Sequence, residues 1–187
     1  MESTPPKAES VREDGSPDGW RLPRSWRPQV APDGSTRLVV YVPPAELPDM
    51  HLRLLRAMGG PFSIAYTQLT DRAAGRTHPK PIRWVGLELP TERALAAIRA
   101  AGDLVWFDGR HQFWARGPLG EQVILDELGV LYCYPDDPSF RDALDNLPQS
   151  PATGMDGRDY VKVNFRADAD AQEAAMIAGL NLQRIGE

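Results

Sequence analysis

Between residues 37 and 107 the apolar side chains switch from a two-residue to a helical period and back, twice. That alternation constrains the fold more than anything else in the chain, because each period commits a segment to one backbone form and one buried face. RLVVYV (37–42) is a β-branched run that reads as a strand. Leu47, Met50, Leu54, Leu55 and Met58 then fall on one helical stripe, with Pro48 in the first turn and Gly59 at the exit. In PFSIAYTQL (61–69), Phe62, Ile64 and Tyr66 alternate with Ser63, Ala65 and Thr67. In IRWVGLEL (82–89), Val85, Leu87 and Leu89 share a face. TERALAAIRAAG (91–102) is a helix that turns Leu95 and Ile98 inward, with Thr91 as its cap and Gly102 as its end. DLVWF (103–107) closes the series as a strand. The order β-α-β-β-α-β is the split, ferredoxin-like arrangement, in which two helices cover one face of an antiparallel sheet. The fold class is therefore α+β, with 37–187 as a single domain.

Two hairpins and two C-terminal helices extend this frame. Asp108-Gly109 stands between two aromatic-rich runs, DLVWF and RHQFWAR (110–116), a signal for a two-residue turn with positive φ at both positions. That turn sets Phe107 opposite Arg110, Trp106 opposite His111, Val105 opposite Gln112 and Leu104 opposite Phe113. One face then carries Leu104, Trp106, His111, Phe113 and Ala115, and packs into the core. The other carries Val105, Phe107, Arg110, Gln112, Trp114 and Arg116, and suits recognition, since aromatics supply area and arginine supplies directional donors. EQVILD (121–126) and VLYCYP (130–135) make a second hairpin around Glu127-Leu128-Gly129. Residues 136–147 form a short helix capped by Asp137, with Pro138 in its first position. PQSPATGMDG (148–157) is a loop, 159–165 a strand, and 168–179 a helix capped by Asp168, before a last short strand in LNLQRI.

Residues 1–19 are rich in Pro, Ser, Glu, Asp and Gly and read as a disordered tail. Residues 20–36 follow as an extended arm. Its core, GWRLPRSWRP (19–28), holds three arginines and two tryptophans, with Pro23 and Pro28 forbidding a helix. In a polyproline II backbone Trp20, Pro23 and Trp26 line one edge and Arg21, Arg24 and Arg27 the next. Such a ridge either seals the chain's own sheet or enters a partner's groove, and Trp20, Arg21, Arg24, Trp26 and Arg27 join Phe107, Arg110, Trp114 and Arg116 as candidate partner-binding residues.

The net charge of -5 argues against broad nucleic-acid affinity, which needs a concentrated positive face. Lysine occurs only at Lys7, Lys80 and Lys162, an arginine bias that points to a GC-rich bacterial genome. The single cysteine, Cys133, fits a reducing compartment, and with neither a leader-like nor a membrane-spanning segment the expected location is cytoplasmic. His51, His78 and His111 show no metal-ligand spacing with one another or with Cys133, so no metal is expected. Asp136-Asp137 reads as a helix start, and GGPF (59–62) lacks the lysine of a phosphate loop, so no cofactor is expected either.

The function expected from this profile is a non-enzymatic protein-binding module, in the class of small immunity or regulatory adaptor proteins, whose partner is another protein. A homo-oligomer is compatible with it, nucleic acid is disfavoured and no membrane is involved. Two rivals stand beside it: an enzyme using His111 with Asp108 or Glu121, and a nucleotide or nucleic-acid binder working through an arginine/aromatic sheet face.

Overall fold

In a computed structural model that describes residues 5–71, 76–151, 158–161 and 169–186, ten strands and five α-helices are present among the described residues. The strands are β1 (Glu9–Val11), β2 (Ser25–Val30), β3 (Thr36–Tyr41), β4 (Phe62–Asp71), β5 (Arg76–Leu89), β6 (His111–Arg116), β7 (Gln122–Leu125), β8 (Leu131–Tyr134), β9 (Asp159–Val161) and β10 (Gln183–Ile185). The helices are α1 (Leu47–Met58), α2 (Thr91–Ala100), α3 (Gly102–Phe107), α4 (Pro138–Ala143) and α5 (Ala169–Gly179). Eight strands form one antiparallel sheet in the order β10-β5-β4-β6-β7-β8-β3-β2, while β1 and β9 pair separately.

The class is α+β, as expected, but the ferredoxin-like order is not the order found. β3 pairs with β8 and β2 and never meets β5, and residues 102–107 are helix where a strand was expected. A five-residue apolar run is buried equally well in either form, so its period does not decide between them. Neighbours do: the Trp106 indole N–H donates to His51 Nδ1 on α1 at 3.1 Å, and the Leu104 amide donates to Gln172 Oε1 on α5 at 3.1 Å. The hairpin at Asp108-Gly109 is absent for the same reason. Asp108 has φ -104, which a turn needing positive φ excludes, and β6 pairs with β4 and β7.

Other local expectations stand. Gly59 leaves α1 at φ 72, and Asp137 accepts from the Ser139 amide at 2.8 Å to cap α4 behind Pro138. β7 and β8 form the expected hairpin, with Gly129 at φ 86. Thr91 is inside α2, and Pro90 holds the cap position without a side-chain bond. The expected cap Asp168, residues 162–165 of the expected strand and residues 152–157 of the expected loop lie outside the described residues.

The core lies between one sheet face and a single helical layer. α4 touches α1, α1 touches α3, and α3 touches α2 and α5. Leu38, Val40, Ile64, Tyr66, Phe113, Ala115, Val123, Leu125, Leu131 and Cys133 point into that layer and are buried. Side chains of opposite parity on the same strands point to the other, helix-free face.

The N-terminal region departs from expectation too. Residues 5–18, read as part of a disordered tail, contain β1, paired with β9 from Glu9↔Val161 to Val11↔Asp159. The arm is not a free polyproline ridge: residues 25–30 are β2, the sheet's edge strand, where the missing N–H of Pro28 is tolerated.

Candidate interaction surface and a buried lysine cluster

On the helix-free face the strand register builds a row Val39–Tyr132–Ile124–Trp114–Ala65–Val85 across β3, β8, β7, β6, β4 and β5. A second row runs Tyr134–Gln122–Arg116–Ser63, with Arg37 placed beside Tyr134. β6 follows the alternation expected of it: His111, Phe113 and Ala115 are buried, and Gln112, Trp114 and Arg116 are not. The aromatics here are half-buried and held in place. The Arg37 guanidinium lies 4.5 Å from the Tyr132 ring centre and 5.5 Å from that of Tyr134. It also donates to the Tyr134 hydroxyl and, through Nε, to Gln29 at 2.8 Å. The Trp114 indole donates to Gln112 Oε1 at 3.1 Å, and Gln112 donates to Glu127 at 2.6 Å. At the Arg116 end of this face, Leu87 and Leu119 are 70% and 89% exposed.

The sequence-derived candidates divide between surface and core. Trp114 and Arg116 share the helix-free face. Trp26 is in the core, its indole donating to Leu147 O at 3.2 Å, which is the self-sealing role weighed for the arm. Arg24 pairs with Glu46 at 2.8 Å, and Arg27 donates to Pro151 O at 3.5 Å. Trp20 stands edge-on to Tyr160 with ring centres 6.2 Å apart, beneath the Arg158 guanidinium, and exposed Arg21 donates to the Trp20 carbonyl at 3.1 Å. Phe107 packs partly buried against the core. Arg110, expected on a recognition face, is buried beside the Asp108 carboxylate at 3.2 Å. Part of the arm nevertheless borders the β6 surface: Arg27 on β2 stands opposite Val39 in the row that reaches Trp114, and Leu22 packs against Val39 and Tyr41 beside Tyr132.

His51 and His111 are each packed against an aromatic ring. His111, 1% exposed, lies against Tyr66 with ring centres 5.0 Å apart. Glu121 is at the opposite end of β6, where its carboxylate accepts from the Leu119 amide at 3.1 Å. The pairing of His111 with Glu121 therefore does not form. His51 is fully buried, and burial, aided by the charge of Lys7, pulls its imidazole down to about 3. Burial likewise raises the Cys133 thiol far above the ordinary range. Among the described residues no group of three His, Cys, Asp or Glu side chains is arranged to hold a metal ion, and no helix is long and apolar enough to cross a membrane.

Sequence reasoning missed Lys7. Its ammonium is buried where the end of α3, the start of β6 and the β7–β8 turn meet, donating to Val105 O at 3.1 Å and lying 3.4 Å from His111 Nε2. Burial lowers it from 10.5 to about 8, against the attraction of Asp126, Asp108 and Glu127. Burial also pushes the Asp126 carboxyl up to about 6, although the Val130 and Leu128 amides donate to it at 2.8 and 2.9 Å. A single lysine in PPKAES carries no periodic signal that marks it as buried. No protein family, curated protein or solved structure matches the chain.

Proposed function

We propose that the protein is a protein-binding module that receives its partner on the helix-free sheet face. What supports the reading is one observation: half-buried Trp114 on β6 and half-buried Tyr132 and Tyr134 on β8 flank β7 on one face, fixed by Arg37 and Gln112, with exposed Arg116 and Leu119 at the rim. Rings already locked in place lose little conformational freedom on binding, and a tryptophan beside arginine is the composition of an interface hot spot. The arginines select carboxylates, so the partner presents acidic side chains around an apolar patch. The chain's negative net charge favours this reading over a nucleic-acid one.

The test starts with a photo-crosslinking side chain in place of Leu119, used in the native host to trap the partner. The trapped protein is then purified and titrated against the native chain. A stoichiometric complex weakened about 30-fold by Trp114→Ala, with the thermal midpoint kept, is the expected result. Unchanged affinity in that variant refutes the site. Salt-sensitive binding of a single-stranded oligonucleotide, lost in Trp114→Ala, replaces the protein partner with nucleic acid.

A further inference from the structure

The segment 5–18 is held to the rest of the molecule in an unusual way. Lys7 and Ser10 are its only buried side chains among the described residues, so it contributes no large apolar anchor to the core. Beyond Lys7, it is retained by the three-residue β1–β9 pairing and by polar contacts such as the Asp18 carboxylate with Arg158. The site that Lys7 enters is shaped for it. A methyl group on Gly109 would fall 2.2 Å from the Lys7 carbonyl oxygen, and one on Gly129 would touch the Lys7 side chain at 3.9 Å. The ammonium meets a carbonyl in the last turn of α3, an imidazole nitrogen, and the field of three carboxylates drawn from two different loops. An anchor made of a buried charge is held weakly, because the lost hydration offsets most of the attraction. Segments with few apolar contacts open first.

We propose that residues 5–18 form a releasable strap pinned by Lys7, and that the socket it vacates binds the ammonium of a lysine side chain presented by another polypeptide. Lys7 is then an internal stand-in for that ligand. The proposal goes beyond the sheet-face reading and does not depend on it, since the ammonium's direct contacts, Val105 O and His111 Nε2, come from α3 and from the core side of β6.

The experiment uses the full-length chain carrying Lys7→Ala, which deletes the four-carbon ammonium and leaves the strap backbone. Titration with n-butylammonium is expected to raise the thermal midpoint of this variant saturably, while the native protein and the Lys7→Met variant do not respond. Tetramethylammonium, which has no N–H donors, has no effect. Asp126→Asn in the Lys7→Ala background is expected to weaken n-butylammonium at least tenfold. Should Lys7→Ala fail to fold, the same titration is read as recovery of the folded far-UV signal. Absence of a saturable response in both readouts overturns the proposal. A capped peptide of sequence PPKAES is expected to bind Lys7→Ala at least tenfold more tightly than n-butylammonium, and equal affinity overturns the polypeptide source. In the native protein the amides of β1 are expected to exchange with solvent at least a hundredfold faster than those of β6. Exchange at a single common rate shows that the strap does not release, and overturns the proposal from the other side.

Discussion

Replacing Lys7 with methionine isolates the electrostatic consequence of its burial, because methionine has a similar reach and no charge. The native ammonium titrates near 8, and an unfolded lysine near 10.5. A gap of that size corresponds to about 3 kcal/mol. The sign follows from proton counting. Between pH 8 and 10.5 the unfolded chain holds a proton that the folded chain has released, so the native protein gains stability as pH rises through that window. Asp126, which faces Lys7, is held at about 6 and is already ionised across that window. Groups other than Lys7 are common to both proteins and cancel in the difference. Urea unfolding of the native chain and of Lys7→Met, at intervals from pH 7.5 to 10, is the assay. The stability of the native chain relative to the variant is expected to climb by about 2–3 kcal/mol by pH 10, with a slope near 1.4 kcal/mol per pH unit. A flat difference shows that the ammonium is hydrated in the folded state. A falling difference shows that its carboxylates outweigh its desolvation. Either result refutes the reasoning.

Further outcomes follow from single contacts. Gly109→Ala places a methyl group 2.2 Å from the Lys7 carbonyl oxygen and 3.2 Å from that of Glu127, both backbone atoms. It is expected to cost about 1–3 kcal/mol in urea unfolding and to speed amide exchange in 8–11 before β6. His51, held near 3 where an unfolded histidine is near 6.5, releases its proton on folding, so stability falls as pH drops from 6.5 towards 3. His51→Asn keeps an acceptor for the Trp106 indole and is expected to remove roughly 3 kcal/mol of that acid-side loss, read from unfolding midpoints at pH 7 and 4. Trp26→Ala removes a buried ring and its bond to Leu147 O, with an expected loss of about 3–5 kcal/mol in the same assay. Leu119→Ser, on an exposed turn, is expected to leave stability within about 0.5 kcal/mol.

The site was legible in part. β6 alternates as its sequence dictates, so Trp114 and Arg116 fell on one face as soon as the strand was recognised. What joined them, however, was strand order: Tyr132, Tyr134 and Arg37 come from β8 and β3, and nothing in the spacing of those runs says which strands are neighbours. Arg110 was misplaced because its face was inferred from a turn that does not exist; once 102–107 became helix, Arg110 fell before β6 and its guanidinium turned inward to Asp108.

Local chemistry determined what is settled within a few residues: the stripe of α1, the glycine at its exit, the Asp137 cap, the β7–β8 hairpin and the alternation of β6. These rest on backbone sterics and on periods of 3.6 and two, which need no distant partner. Tertiary structure decided the rest. DLVWF became helix because His51 and Gln172 accept from it, Trp26 entered the core because β2 found the edge of β3, and Lys7 was buried because three remote segments left a cavity of matching charge. Each of these is a choice between states of similar local energy, and only contacts made across many residues separate them.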